Sequence, residues 1–209
     1  MNNSPKKILV TGVAGFLGSH LAEKLAEMKH KVIGVDNMMG GYEDNVPKNI
    51  EFFNYDCCDL NFMKKVTKNV DVVYHCASTA HEGLSVFSPY EITKNNYLAS
   101  VSVFSAAVSN NVKRIIFCSS MARYGDQKTP FTEDMIPKPV DPYAISKVAS
   151  ENVLINLCDL NNIEWIIAVP HNIIGPRQKY DDPFRNVVSI MLNRMMQKKA
   201  PIIYGDGEQ

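Results

Sequence analysis

The stretch TGVAGFLGSH, residues 11–20, carries three glycines at three-residue intervals directly after an apolar run. Gly12 permits a tight turn at a strand end, Gly15 lets the backbone approach a pyrophosphate, and Gly18 lets the next helix pack closely on the strand. The amino end of that helix offers unpaired N–H groups and about half a positive charge to phosphates. The stretch therefore predicts a strand–turn–helix unit that binds a dinucleotide. A glycine-rich turn in some other α/β protein is the alternative.

Apolar, β-rich runs alternate with segments of helical period along most of the chain. The predicted strands cover residues 7–12, 31–37, 50–56, 70–78, 113–120 and 164–171, and the predicted helices cover 16–29, 60–69, 90–110 and 143–161. Continuous apolar strands separated by helices imply a parallel sheet that is covered on both faces. Right-handed crossovers then give an α/β fold with a doubly wound, Rossmann-type sheet.

This rhythm changes after Pro170, so we predict a nucleotide-binding domain over residues 1–171 and a second segment over 172–209. The second segment begins as a loop. A helix is predicted over 187–199, and PIIYGDGEQ, residues 201–209, is typical of a short strand and turn.

The composition argues against several classes of partner. The 209 residues include 22 basic and 22 acidic side chains, so that neither nucleic acid nor an anionic membrane is expected to bind. No apolar run reaches the roughly 18 residues of a membrane span, and the start resembles no signal peptide. We therefore expect a cytoplasmic protein.

Five cysteines, an odd number, favour reduced thiols over disulfides. Cys57 and Cys58 are adjacent, without paired histidine ligands, so we expect no metal site. Cys76 and Cys118 lie inside apolar runs and are predicted to be small core residues.

Asp36 ends the second predicted strand and could accept both ribose hydroxyls of an adenosine. A carboxylate there repels a 2′-phosphate, and no Lys or Arg follows in DNMMGG, which favours NAD over NADP. An Asp that caps a turn is the alternative. Asp56 could accept from the adenine amino group, although DCCDL also suits a helix start. The predicted cofactor-binding residues are Gly12, Gly15, Phe16, Leu17, Gly18, Asp36, Asn37, Asp56, Cys57, Ala77, Tyr143, Lys147 and Pro170.

The stretch DPYAISK, residues 141–147, places Tyr143 and Lys147 on one helix face. Alone, the pair could be two ordinary residues of an amphipathic helix. A free tyrosine has a pKa near 10 and is a poor base at neutral pH. Lowering such a pKa by about 3 units takes roughly 4 kcal/mol, which nearby cations in a cleft could supply.

Taken together, the motifs give a specific pattern. The order of TGVAGFLGSH, VDVVYHCAS, NNYLASVSVFSAA, FCSSMARYGD, DPYAISK and PHNIIGPRQ resembles the extended short-chain dehydrogenase/reductase family, especially its NAD-dependent nucleotide-sugar epimerases and dehydratases. The resemblance implies that Tyr143 is the catalytic acid and base, Lys147 its partner and Ser120 a third polar group that holds the substrate hydroxyl.

The resemblance also implies roles for residues outside this triad. Asn95 matches an asparagine that stabilises the active-site helix, although its neighbour Asn96 leaves the register open. Asn172 matches a contact to the substrate diphosphate, and Pro170 and His171 would border the nicotinamide. His81 follows the fourth strand, where it either contacts the substrate or has a surface role. His75, within that strand, is predicted to be a core residue.

The residues after Ser120 indicate which reaction of the family to expect. Related dehydratases carry an Asp-Glu pair there and decarboxylases a Glu, whereas this chain has Met121 and Ala122. A 4-epimerase that forms a transient 4-keto sugar is therefore the leading hypothesis. A dehydratase, a decarboxylase, a reductase and a non-catalytic NAD-binding sensor or scaffold are the alternatives. Arg123 replaces an apolar family residue and would contact a substrate anion or point to solvent.

The resemblance further implies a nucleotide-diphosphate sugar as substrate. It implies a homodimer in which helices 90–110 and 143–161 pair with their copies as a four-helix bundle. Since relatives continue beyond the point that matches YGDGEQ, it also implies that the C-terminal substrate lobe, begun at 172–209, is incomplete in this sequence.

Overall fold

The computed structural model describes residues 4–182, 187–203 and 205–207. Six parallel strands lie in the order β3-β2-β1-β4-β5-β6, which confirms the predicted doubly wound sheet. The strands are β1 (Lys7–Thr11), β2 (Lys31–Asp36), β3 (Glu51–Asn54), β4 (Val72–His75), β5 (Arg114–Cys118) and β6 (Glu164–Ala168). The helices are α1 (Phe16–Glu27), α2 (Leu60–Val66), α3 (Glu82–Ser85), α4 (Pro89–Thr93), α5 (Ala99–Ser109), α6 (Pro142–Asn161) and α7 (Val187–Met196).

The alternating side chains of the central strand explain the three layers. On β1, Leu9 points into one apolar cluster, while Ile8 and Val10 point into another on the opposite face. The Leu9 cluster includes Phe104 of α5 and Leu154 of α6. The other cluster is covered by α1. The four central strands β1, β2, β4 and β5 are therefore buried on both sides, as their apolar sequence predicted, whereas the edge strands β3 and β6 are partly exposed.

The structure differs from the predicted elements in two places. The helix predicted over 90–110 is divided into α4 and α5 by a π-helical turn, Lys94–Leu98. The short strand predicted within residues 201–209 is wrong for the part described, because 201–203 form no regular structure. Residues 204, 208 and 209 of that prediction lie outside the described residues. Three residues without a ladder partner have little to hold them extended.

His75 is a core residue, as predicted, and its neutral ring is fully paired. The Ser100 hydroxyl donates to the Asn96 carbonyl, so it must accept from Nε2 of His75, at 2.9 Å. Nδ1 then accepts from the Thr11 hydroxyl at 2.7 Å. Burial, with a smaller contribution from the charge of Lys147, lowers the pKa of His75 to about 3.

This burial of a neutral imidazole predicts a loss of stability in mild acid. Between the unfolded pKa near 6.5 and the folded value of about 3, the unfolded state binds the extra proton, so stability falls as pH falls. From about pH 7 to about pH 5, His75 should remove roughly 2 kcal/mol from the free energy of unfolding. Over the same pH range, the His75→Gln variant should lose roughly 2 kcal/mol less of its free energy of unfolding than the wild type. Urea unfolding measures this difference.

The matched control is His171→Gln, which removes an exposed imidazole. An unchanged acid dependence in His75→Gln would contradict the assignment of a buried neutral ring at this position.

Candidate active site

A cleft of about 970 Å³ opens at the carboxyl edge of the sheet. The chain order reverses between β1 and β4, and ligands of doubly wound sheets bind outside such a switch point. Seventeen of the predicted site residues line this one cleft: Gly12, Gly15, Phe16, Leu17, Gly18, Asp36, Asn37, Asp56, Cys57, Ala77, His81, Asn95, Ser120, Tyr143, Lys147, Pro170 and Asn172. Their individual roles stay predictions, but their shared location is observed. His171, which was predicted to border the nicotinamide, is exposed and does not line the cleft.

The glycine turn leaves no room for a side chain at Gly12 or Gly18. Gly12 has a φ of +74°, and a Cβ on it would lie 2.7 Å from the Ala77 nitrogen. A Cβ on Gly18 would lie 2.1 Å from the Gly12 carbonyl oxygen. Gly15 is the N-cap of α1 and has no side chain to satisfy the first N–H groups of that helix. Those groups line the cleft, which fits a bound pyrophosphate.

Asp36 orders a turn, which is one of the two functions that the sequence left open, and it also faces the cleft. Its carboxylate accepts from the Ala14 and Met38 backbone nitrogens at 3.0 and 2.8 Å, which orders the turn after β2. It also lines the cleft, and a carboxylate has acceptor capacity beyond two bonds. Burial raises the pKa of Asp36, against the two backbone hydrogen bonds that lower it.

Asp56 lines the same cleft as Asp36 and is not the cap of α2. It accepts from the Cys58 nitrogen at 2.8 Å in a local turn, whereas Asp59 caps α2 by accepting from Phe62 at 2.9 Å. The helix start in DCCDL is therefore at Asp59. Asp56 is left on the cleft surface, where the adenine role remains a prediction.

Tyr143 and Lys147 lie one turn apart on α6, whose N-cap Asp141 accepts from the Ala144 nitrogen at 2.8 Å. Tyr143 is 6% exposed and Lys147 is 3% exposed. Nζ of Lys147 donates to the Cys118 carbonyl at 2.8 Å and lies 5.9 Å from the centroid of the Tyr143 ring. Burial lowers the pKa of Lys147 to about 8, although the nearby acidic groups act to raise it.

Ser120 follows β5 and reaches the same cleft. Its hydroxyl oxygen accepts from the Ala122 nitrogen at 3.2 Å, which caps a 3₁₀ turn at Met121–Tyr124. The Met121 nitrogen donates to the Pro170 carbonyl at 3.3 Å. These bonds bring the ends of β5 and β6 together beside Tyr143.

The two asparagines of the π-helical turn have different environments. Asn96 is buried, and its amide binds the backbone of Thr79 in both directions, at 2.7 and 3.2 Å. Asn95 lines the cleft and donates to the Thr79 hydroxyl at 3.3 Å. A π-helical turn often marks a functional site. Here it places consecutive asparagines against one loop, and stabilisation of the active-site helix by Asn95 stays a prediction.

Two polar residues have partners that the sequence did not predict. The surface alternative for His81 is wrong, because the residue is buried and its Nε2 lies 2.7 Å from a carboxylate oxygen of Asp182. The solvent alternative for Arg123 is also wrong, and Arg123 is not among the residues that line the cleft. Its side chain is 14% exposed and lies 3.2 Å from Glu151, with its guanidinium 5.3 Å from the Tyr124 ring centroid.

Cys76 and Cys118 are not the core residues that we predicted. Register aligns the ends of β4 and β5, so the two thiols lie 3.5 Å apart on the cleft wall beside Lys147. The hydrogen bond between them raises the pKa of Cys76 and lowers that of Cys118. Within residues 4–182, 187–203 and 205–207, no group of three or more His, Cys, Asp or Glu could hold a metal ion.

The sheet, the glycine turn and the Ser120–Tyr143–Lys147 cluster define a nucleotide-binding domain of the short-chain dehydrogenase/reductase type. A family model described as the NAD-dependent epimerase/dehydratase family matches residues 8–209, and the chain belongs to that family. NAD is therefore its cofactor, in agreement with the glycine turn and Asp36.

Solved structures and curated relatives agree with this assignment. A UDP-N-acetylglucosamine 4-epimerase from Methanobrevibacter ruminantium is 33% identical with a TM-score of 0.92, over 99% of this chain and 67% of its own. A UDP-glucose 4-epimerase from Thermus thermophilus, solved with NAD, is 31% identical with a TM-score of 0.87, over 92% and 63%. A UDP-N-acetyl-alpha-D-glucosaminuronate decarboxylase from Bacillus cytotoxicus is 32% identical, over 98% and 65%. The chain thus spans about two thirds of the length of these relatives.

Proposed function

We propose that the chain carries the catalytic domain of a nucleotide-sugar 4-epimerase. The observation that carries this proposal is the buried Tyr143 and Lys147 pair beside Ser120, in a cleft that fits NAD. Met121 and Ala122 follow Ser120. The dehydratases and decarboxylases that the sequence resembles carry acidic residues at this point. The site thus has the groups for oxidation of a sugar hydroxyl and for its reversal.

The three polar groups have different tasks in this reaction. Tyr143 accepts the proton of the C4 hydroxyl and later returns it, while Ser120 holds the same hydroxyl by a hydrogen bond. The ammonium of Lys147 favours the charged form of the phenol by its proximity. Bound NAD supplies the hydride acceptor and donor. The protein orients the sugar so that the 4-keto form can present either face.

The cofactor contacts follow the cleft from one end to the other. We propose that the first N–H groups of α1 bind the pyrophosphate, with Gly15 next to it. Asp36 would accept from the adenosine ribose, and Asp56 from the adenine amino group. Lys147 would also donate to the nicotinamide ribose, near Ala77 and Pro170.

We also propose an oligomeric state and a cellular location for this protein. A homodimer through α5 and α6 is supported by exposed apolar side chains, with Ile145 on α6, Tyr90 on α4 and Leu98 in the π-helical turn before α5. Sedimentation equilibrium tests it. A cytoplasmic location is supported by five free cysteines, since thiols persist in reducing compartments. Among the described helices, none is long and apolar enough to cross a bilayer.

A decarboxylase or dehydratase is the second candidate. Glu82 of α3 lines the cleft, and partial desolvation together with the charge of Asp141 raises the pKa of this exposed carboxyl, as suits a general acid. One relative with this similarity is also named a decarboxylase. Glu82 belongs to α3 and not to the turn after Ser120, which is why the epimerase remains the first proposal.

NMR of nucleotide sugars incubated with the chain and NAD decides between these candidates. The longest chain that the reading frame encodes should be used, with UDP-glucose, UDP-N-acetylglucosamine and their uronic acids. We expect at least one sugar to yield its C4 epimer without net reduction of NAD. Loss of CO₂, a 4-keto-6-deoxy product or the absence of any product would contradict the epimerase, and the last would favour an NAD-binding sensor.

A further inference from the structure

A buried ion pair connects the segment after β5 to the catalytic helix. Glu151 of α6 is 3% exposed, and its two carboxylate oxygens have different partners. One accepts a hydrogen bond from the Ser119 hydroxyl, and the other lies 3.2 Å from the Arg123 guanidinium. Ser119 and Arg123 flank Ser120 in sequence. One carboxylate therefore holds the chain on both sides of a predicted catalytic serine.

The same carboxylate belongs to the reactive face of α6. Tyr143, Lys147 and Glu151 follow one another at intervals of four residues and so share that face. Burial raises the pKa of Glu151, while the hydrogen bond from Ser119 and the charges of Arg123 and Lys147 lower it. Arg123 thus supports a negative charge one turn below the ammonium of Lys147.

Backbone hydrogen bonds of Arg123 connect the ion pair to the turn that follows Ser120. Arg123 donates its backbone N–H to the Ser120 carbonyl at 3.2 Å, and its own carbonyl accepts from Lys138 at 2.8 Å. A shift of the Arg123 side chain would therefore move the 3₁₀ turn that Ser120 caps. Buried ion pairs add little net stability compared with well-packed apolar residues of similar volume. Stability alone does not explain the pair.

We propose that the Arg123–Glu151 ion pair is a positioning device that fixes Ser120 opposite Tyr143. Arg123 and Glu151 act through Ser120, so they are positioning residues. The effect of the ion pair on catalysis rests on the proposed epimerase function. Its effect on the conformation of residues 119–125 does not depend on that function.

Four variants separate positioning from folding. Arg123→Met leaves Glu151 without its guanidinium, and the double variant Arg123→Met/Glu151→Met replaces both charges with apolar side chains. Arg123→Lys keeps the charge but loses the planar fork. Arg114→Met is the matched control, since Arg114 makes an exposed pair with Glu164 at the other end of β5.

The kinetic expectation is a loss in kcat rather than in KM. Arg123→Met should lower kcat about 10- to 100-fold with KM and NAD affinity within about twofold, because small displacements in an active site are costly. The double variant should regain the wild-type Tm but not kcat, and Arg123→Lys should recover part of kcat. Arg114→Met should leave kcat unchanged. Full recovery of kcat in the double variant, or wild-type kcat in Arg123→Met, would overturn the proposal.

Hydrogen–deuterium exchange tests the same pair without a substrate. Exchange of the amides in 119–125 should be faster in Arg123→Met and in the double variant than in wild type, with β1 and α1 unaffected. Unchanged exchange in 119–125 would overturn the inference whatever the activity. If the wild-type chain turned over no nucleotide sugar, the proposed function would fail, and exchange would still decide whether the pair holds this segment.

Discussion

Tyr143→Phe should lower kcat by about 10³-fold while NAD affinity stays within about twofold of wild type. The substitution removes one oxygen from a buried ring and leaves the ring in place beside α6. General acid–base catalysis contributes roughly 10²- to 10⁴-fold, and the phenol oxygen is the group proposed to move the proton in both directions. Turnover is measured by NMR of the sugar, and NAD binding by fluorescence titration.

The control for Tyr143→Phe is Tyr90→Phe, which removes the same oxygen from a residue that is 76% exposed. Wild-type turnover is expected there. If Tyr143→Phe retained more than about a tenth of the wild-type kcat, Tyr143 would not be the acid and base. A sensor or scaffold would be indifferent to the change, so the same variant tests that alternative.

Gly18→Ala should abolish NAD binding and destabilise the fold by about 3 kcal/mol or more. The new Cβ would lie 2.1 Å from the Gly12 carbonyl oxygen, and 2.7 Å from the Gly12 carbonyl carbon. Both atoms belong to the backbone, which cannot move away as a flexible side chain does. The junction of β1 and α1 must therefore open. Urea unfolding measures the stability, and fluorescence titration measures the affinity.

Gly15→Ala is the matched variant for this prediction. Its Cβ would meet the Gly12 oxygen at 3.2 Å, a contact that small shifts can relieve. We expect this variant to fold with a stability within about 1 kcal/mol of wild type. NAD should bind about 10-fold or more weakly, because the methyl group occupies the approach to the pyrophosphate. Equal effects of the two substitutions on stability and on NAD affinity would contradict the roles assigned to the two glycines.

The sheet and the cofactor side of the cleft could be predicted from the sequence because their signals are local. The continuous apolar runs mark all six strands, and their parallel order follows from the helices between them. Gly12 and Gly18 are needed for contacts within the turn and its neighbouring strand end. The position of Asp36 at the cleft could be predicted because Asp36 is the last residue of β2. These features need no knowledge of distant partners.

The polar partners could not be predicted because they depend on distant contacts. Arg123 pairs with Glu151, 28 positions later, and only the packing of the 3₁₀ turn on α6 brings them together. Asp182 reaches His81 across 101 positions. No periodicity in the sequence encodes either contact.

Two other errors have a local cause that the sequence hides. Cys76 and Cys118 continue apolar strands, but each lies where its strand reaches the cleft, so both are only partly buried. The π-helical turn shifts the helical phase by one residue at Asn95 and Asn96. A pattern based on regular helical spacing cannot tell which of the two faces the cleft.

The central claim is that the hydrogen on the sugar's C4 carbon moves as a hydride inside the cleft, while Tyr143 moves only the hydroxyl proton. The most direct test uses a nucleotide sugar with deuterium at C4, incubated in ordinary water with the chain and NAD. The C4 epimer should keep its deuterium at C4. Replacement of that deuterium by hydrogen from water would mean that C4 is deprotonated, and would contradict this account.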